Sequence, residues 1–355
     1  MMKTLKYIHP LIAVMGCACL LFSCKHEDLT ISKPNENVRT AGDFIRNNYD
    51  FSLFYAALDF TGLVSKLNEK GPFTVLAPDN KAFRALGIQT PGDIQRLNRD
   101  SLKQAMSFHI LTRRLMQADV PVNGVDVQYE TLAGTNISVT FASFPPGGQD
   151  YPYNWLFFSG SKAYRKDVTL ANGVLHALEK VIKQYPGKNV QQWLADRSDY
   201  SIFVSGLQKF GLWDALGGPG PFTIFAPDNK AFADAGISQA DIDGLDAGAY
   251  IGARLFGAYI LYNNRYFLGE KMYYGVINGE NSYDKKLRDD TAVFGWYEYQ
   301  GAYTLSLSSG KQLPATVFGS VDVPAELGYR LDHLCENGVI HDTPGLLVTP
   351  GQALR

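Results

Sequence analysis

Four side chains able to hold a metal ion or move a proton fall close together near the end of the chain: Asp332, His333, Cys335 and His341. A structural zinc site needs a regular spacing such as Cys-x2-Cys or His-x3-His, and none organises these four. Asp284, Asp289 and Asp290 offer carboxylates for acid–base work, but Lys285, Lys286 and Arg288 alternate with them, as on a solvated loop. Ser308-Ser309-Gly310-Lys311 has the Gly-Lys of a phosphate loop without its first glycine, and reads as a hairpin turn. No Gly-x-Ser-x-Gly elbow, Walker loop or dinucleotide fingerprint occurs. The reading is therefore no enzyme, no metal and no cofactor.

Recognition chemistry is better represented. Aromatic residues make up 13% of the chain, with 20 Tyr and 21 Phe, and they crowd between Tyr259 and Tyr303. Flat rings pack against the C–H faces of sugars and lose little rotamer freedom on binding. Tyr273, Tyr274, Trp296, Tyr297 and Tyr299 are the candidates there. The run Gly295-Trp296-Tyr297-Glu298-Tyr299 alternates as a strand would, with Trp296 and Glu298 on one face and Tyr297 and Tyr299 on the other. One of those faces must pack on a core. A second cluster holds Tyr151, Tyr153, Trp155, Phe157 and Phe158. The plainer reading of both clusters is core and interdomain packing.

The chain that must position these residues has 355 of them, more than one typical domain. Hydrophobic residues at 46% against 19% charged give material for real cores and argue against disorder. A net charge of −2, without long Lys/Arg blocks, makes nucleic acid a poor partner.

The first residues read as an address. Lys3 and Lys6 precede an apolar run from Leu11 to Phe22, about the length of a signal-peptide core and too short to span a bilayer. It ends in Leu21-Phe22-Ser23-Cys24, which resembles a bacterial lipobox with Cys24 as the lipidated residue; an uncleaved N-terminal anchor is the alternative. The earlier Val14-Met15-Gly16-Cys17 would cut the apolar run to almost nothing. Residues 1–23 are thus expected to be a lipoprotein signal peptide and 24–37 a lipidated tether. Lys25-His26-Glu27-Asp28 resembles the acidic export signal that sends lipoproteins of Bacteroides-type bacteria to the exterior face of the outer membrane. With Cys17 and Cys19 removed, Cys335 has no internal partner, so packed cores must supply the stability.

The rest of the chain repeats itself. Gly71-Pro72-Phe73-Thr74-Val75-Leu76-Ala77-Pro78-Asp79-Asn80-Lys81-Ala82-Phe83 returns as Gly220-Pro221-Phe222-Thr223-Ile224-Phe225-Ala226-Pro227-Asp228-Asn229-Lys230-Ala231-Phe232. Downstream, Tyr164-Arg165-Lys166-Asp167 and Asn172-Gly173-Val174-Leu175-His176 return as Tyr329-Arg330-Leu331-Asp332 and Asn337-Gly338-Val339-Ile340-His341. The second offset is longer, so the second copy has gained residues between its two anchors.

Each copy predicts the same elements. Leu53, Phe54, Ala57 and Leu58, like Ile202, Phe203, Gly206 and Leu207, recur at helical spacing. Phe73 to Ala77 is a strand that Pro78 should stop, after which Asp79 caps a helix from about Asn80, as Asp228 should in the second copy. Ser101 to Leu111 reads as a helix, and Thr131 to Phe141 as a hairpin turning near Gly134. Asn172-Gly173 is expected to supply the positive-φ residues of a tight turn. Helices and strands mix without βαβ alternation, so the class is α+β.

The repeated Phe-Thr-aliphatic-x-Ala-Pro-Asp-Asn-x-Ala-Phe box and the closing Asn-Gly-Val-aliphatic-His box resemble the fasciclin (FAS1) domain. The resemblance covers 38–186 as one domain and 188–350 as a second with an aromatic-rich insertion around 266–328. It implies a twisted β-wedge with a helical layer in each domain. It also implies an extracellular adhesion or binding module without catalysis, whose partner is a protein or a polysaccharide. A glycan-binding accessory of an outer-membrane uptake system is the alternative implied by similar lipoproteins. A Tyr-His pair implicated in adhesion by animal members has its nearest match in Phe108-His109, and in the second copy in Ala258-Tyr259. The acidic-proline integrin motif is absent from both closing strands.

Overall fold

Two sequence boxes about a hundred residues apart in the first repeat meet as neighbouring parallel strands, and the architecture grows from that pairing. The computed structural model describes residues 38–144, 153–270, 283–287, 292–299, 302–309, 317–323 and 330–355. In the first repeat the strands are β1 (Phe73–Pro78), β2 (Ile110–Leu111), β3 (Val127–Glu130), β4 (Asn136–Phe144), β5 (Tyr153–Phe158), β6 (Ser161–Leu170) and β7 (Gly173–Leu178). They form one sheet in the order β2-β1-β7-β6-β5-β4-β3, with β1 and β7 parallel and the other neighbours antiparallel.

The second repeat has β8 (Phe222–Pro227), β9 (Ile260–Tyr262), β10 (Tyr283–Lys286), β11 (Val293–Tyr299), β12 (Ala302–Ser308), β13 (Val317–Val323), β14 (His333–Cys335) and β15 (Gly338–Thr343). Here the strands divide into two sheets, β14-β15-β8-β9 and β10-β11-β12-β13. The parallel pair recurs as β8 and β15, with Phe222 opposite Gly338 as Phe73 is opposite Gly173. The class is α+β, as expected.

The closing Asn-Gly box works differently from the sequence expectation. Neither Asn172 nor Gly173 has a positive φ. Asn172 is a buried clip instead: its Oδ1 accepts the Ala41 N–H at 2.9 Å, and its Nδ2 donates to Leu67 O and Glu69 O at 2.8 and 2.6 Å. Asn337 repeats this, accepting from Val190 and donating to Leu216 and Gly218. Gly173 is needed for close approach, since a Cβ there would lie 2.0 Å from the Phe73 carbonyl oxygen. Its N-terminal neighbour thereby holds the strand end, with Phe73 N–H donating to Asn172 O at 2.9 Å.

Local expectations hold with three adjustments. Helices Ser52–Phe60 and Ser201–Lys209 bury the four apolar positions read from each stripe. Asp79 and Asp228 cap the helices Asn80–Ala85 and Asn229–Asp234 by accepting from Ala82 and Ala231 N–H. Pro78 ends β1 from inside rather than stopping it earlier, and the Leu178 carbonyl takes the next donor, Asp79 N–H. The helix expected to reach Leu111 is Arg99–Phe108, capped by Asn98, because Ile110 and Leu111 leave it to pair with β1. The hairpin turns at Gly134 as expected, but its first strand lies earlier, at Val127–Glu130.

Each repeat has its own core, and a third apolar cluster joins them. In that cluster Phe158, Ala163, Leu178 and Ile182 of the first repeat pack with Phe267, Leu334 and Val339 of the second. The connecting segment adds to the edge of β14: Leu334 N–H donates to Lys183 O at 3.1 Å and Tyr185 N–H to Leu334 O at 2.9 Å. The β5–β6 hairpin tip, Ser159–Gly160, reaches the second repeat, where Gly160 N–H donates to Glu270 Oε1 at 3.0 Å. A Cβ on Gly269 would come within 2.1 Å of the Gly160 carbonyl, so the backbones touch directly. Residues Arg39–Arg355 form one unit through these contacts.

Candidate functional site

Phe108 and His109, the candidate adhesion pair, are both 0% exposed. They stand where the helix Arg99–Phe108 turns into β2: Phe108 joins the apolar cluster shared by the two repeats, and the His109 ring lies 6.2 Å from Phe54 of the opening helix. His109 Nδ1–H donates to Ala105 O at 2.8 Å, which leaves Nε2 to accept the Ile182 N–H at 3.1 Å. Burial pushes the imidazole down to about 4, so it is neutral. Its role is to bind backbone, and the surface reading of this pair is corrected.

Trp296 is corrected in the same way. It is 2% exposed, and its ring lies 5.5 Å from Tyr266 and 5.6 Å from Phe294. The alternation of β11 was legible; its inward face is the one carrying Phe294 and Trp296, against Leu305 and Leu307 of β12. Tyr297 and Tyr299 follow on β11, with side chains outside the described residues. Tyr273, Tyr274 and Cys24 also lie outside the described residues.

The residues with metal-capable atoms near the chain end are held by the fold. Asp332 sits at φ 61°, the counterpart of Asp167 at φ 57°. In both repeats that strained aspartate N–H donates to the closing histidine: Asp332 to His341 Nδ1 at 3.1 Å, and Asp167 to His176 Nδ1 at 3.4 Å. The opposite nitrogens donate to Tyr266 O and Leu115 O at 2.8 and 2.9 Å. Each histidine thus ties its closing strand to a distant loop. Burial lowers both, His341 to about 4. Cys335 is a buried free thiol, pushed by burial up to about 12 and so unreactive as a nucleophile.

One cluster was missed from sequence. Tyr200 OH donates to Asp342 Oδ1 at 2.7 Å, Arg330 bonds Asp342 at 3.1 Å and Asp228 at 2.7 Å, and His333 Nδ1 meets Tyr185 OH at 3.0 Å. The matching first-repeat positions are Phe51, Val168 and Ala177 for Tyr200, His333 and Asp342. The signal was therefore present: an apolar cluster in one repeat is polar in the other. Its product is a clasp on Tyr185, the residue through which the connecting segment enters the second repeat.

Among the described residues, the exposed aromatic rings lie on the first repeat. Tyr49 is 81% exposed and Tyr164 is 46% exposed. The Tyr164 hydroxyl is held above its usual range by partial burial and then by the Asp79 and Asp50 carboxylates, and Asn80 Nδ2, next to Asp79, donates to Tyr49 O at 2.8 Å. The charges acting on the Tyr164 hydroxyl are the carboxylates Asp79, Asp50 and Glu179 against the one cation Arg165.

The repeated boxes, the parallel β1–β7 and β8–β15 pairs and the Asn clips recur in both halves, and the Fasciclin domain family model matches residues 49–184 and 198–250. The chain belongs to the fasciclin domain family. Human Stabilin-1 is 28% identical over 291 residues, which is 80% of this fasciclin chain and 10% of Stabilin-1. Human Periostin is 30% identical over 199 residues, 56% of this chain and 22% of Periostin. The chain therefore spans only a small part of the length of these relatives. A solved FAS1 domain pair from the insect cell adhesion molecule Fasciclin I covers 87% of this chain at 18% identity, with a TM-score of 0.38.

Proposed function

We propose that this fasciclin chain is a non-catalytic, surface-displayed adhesion module that binds a basic extracellular protein through the Tyr49–Tyr164 patch. The observation that carries this reading is the exposure of those two rings among Asp50 and Asp79, while the histidines His109, His176 and His341 are spent on backbone. The lipobox ending at Cys24 and the polar tether to residue 37 would hang the repeats outside the outer membrane. A polysaccharide partner is the second reading; its aromatic support now rests on Trp155, half-buried with Lys162 Nζ 4.7 Å over its ring, and on the exposed tyrosines.

Cross-linking on intact cells, comparing wild type with the Tyr49→Ala/Tyr164→Ala double variant, tests the reading. Adducts with a basic protein, lost in the double variant, support it. Retardation in polysaccharide gels without protein adducts would replace it with the glycan reading.

A further inference from the structure

Arg265 belongs to the second repeat and reaches across to the first, where its Nη1 stands 3.6 Å from Asp126 Oδ1, beyond hydrogen-bond reach. That oxygen already accepts a hydrogen bond from Gln128 Nε2 at 2.6 Å. Among the described residues the guanidinium makes no hydrogen bond, although its side chain is only 16% exposed. Nε is sealed without a partner, whereas Nη1 and Nη2 keep access to a cleft of about 440 Å³. That volume is within the range of small-molecule sites, which favour domain boundaries. Gln128, Thr135 and Asn136 of the β3–β4 hairpin, Gln184 of the connecting segment, and Leu334 and Glu336 of the second repeat line the cleft with Arg265. Guanidinium donors held there without an acceptor are costly, and a ligand that supplies acceptors recovers part of that cost.

The lining also says which ligand. The charge of Arg265 is already answered by Asp126 and by Glu336, so the guanidinium lacks acceptors rather than a counter-ion. A phosphate or a further carboxylate would add negative charge beside those two acids, and an ammonium would supply no acceptor at all. The other groups are of mixed kind. Thr135 Oγ1 accepts from Gln184 Nε2 at 2.7 Å, which leaves its own O–H to donate. Asn136 is exposed and offers an amide that both donates and accepts. Glu336 Oε1 accepts the Gly187 N–H at 2.8 Å, which leaves Oε2 as an acceptor. Hydroxyl groups both donate and accept, so a polyol answers every member of this set. In the free protein water serves these groups, and a polyol replaces several waters with one molecule that keeps their hydrogen bonds. Leu334 is the one large apolar side chain of the described lining, so little here would hold an apolar ligand.

We infer that the cleft at Arg265 binds an uncharged saccharide, with neighbouring ring hydroxyls accepting from Nη1 and Nη2 and the others bonding Thr135, Asn136 and Glu336. The site is separate from the Tyr49–Tyr164 patch and uses none of the exposed rings, so its failure would leave the adhesion reading standing.

The test is a saturation-transfer NMR titration of the soluble chain with methyl glucoside, methyl galactoside and methyl mannoside, against glucuronate, inorganic phosphate and L-leucine as charged probes. We expect saturable binding of at least one methyl glycoside with a Kd in the millimolar range or tighter, and about tenfold or more weaker binding of each charged probe. Arg265→Lys keeps the positive charge beside Asp126 and removes the two-pronged donor. Asn136→Leu removes an exposed amide that bonds nothing else among the described residues, so it decides the matter if Arg265→Lys fails to fold. Binding weakened about tenfold in every variant that folds supports the site. No saturable response of the wild type, preference for a charged probe, or unchanged binding in a folded variant would overturn it.

Discussion

His109 and Tyr259 do the same task with different chemistry. His109 Nε2 accepts the Ile182 N–H at 3.1 Å, and the Tyr259 hydroxyl accepts the Leu347 N–H at 2.7 Å. Both stand just before the short edge strand that follows β1 or β8, and both receive the amide that follows the closing strand. The shared requirement is a buried acceptor that pins the chain after it leaves the sheet. A histidine meets it in one repeat and a phenol in the other. This explains why the second repeat tolerates the absence of the histidine.

Tyr259→Phe keeps the ring and removes only the acceptor. The Leu347 N–H is then left buried and unpaired, which costs about 1–3 kcal/mol. Thermal and urea unfolding should show that loss with the m-value unchanged. An unchanged melting temperature would mean that another acceptor reaches Leu347.

Acid should weaken the fold well before it protonates ordinary carboxylates. His109 and His341 have folded pKa values of about 4, and His176 is lowered too, against an ordinary 6.5. The unfolded chain therefore binds more protons than the folded one as pH falls below 6.5. The stability of the neutral rings is fully present above 6.5 and is lost as pH falls towards 4. Each such histidine contributes a slope of up to about 1.4 kcal/mol per pH unit in that window. Urea midpoints measured from pH 7.5 to 4.5 should fall steadily, and a flat profile would contradict neutral buried histidines.

Gly173→Ala should be among the most damaging single changes. The added Cβ would meet backbone, the Phe73 carbonyl, at 2.0 Å, and backbone in a central parallel pair has no room to yield. A loss above about 4 kcal/mol, or no soluble protein, is expected. Gly87→Ala is the control from the other class, since its Cβ meets nothing within 4 Å but its φ of 82° carries conformational strain of only about 1–2 kcal/mol.

Trp296→Ala separates packing from recognition. Removing this buried ring should cost about 3–5 kcal/mol and lower the melting temperature. Reading β11 from its alternation alone would instead have allowed an exposed ring whose loss leaves stability intact. A wild-type melting temperature in the variant would restore Trp296 to the surface.

Much of the scaffold was legible because its causes are local or repeated. The caps Asp79 and Asp228 announce themselves beside a proline, and the apolar stripes of the two opening helices need only their own spacing. The doubled boxes revealed two copies of one fold. What stayed hidden depends on partners far away in sequence. Asn172 looks like a turn residue until Ala41, Leu67 and Glu69 are known to surround it. Alternation in β11 offers two faces, and only the pairing with Leu305 and Leu307 decides which is inside. The clasp of Tyr185 on His333 and the cleft at Arg265 exist only where the two repeats meet.

The most direct measurement is adhesion under flow of beads coated with the soluble chain from Lys25 to Arg355, over a panel of immobilised basic and acidic extracellular proteins. Wild-type beads should be retained on a basic protein, and beads carrying Tyr49→Ala/Tyr164→Ala should wash away although the variant melts like the wild type. Equal retention of both, or no retention of wild-type beads on any surface, would contradict an adhesion module working through this patch.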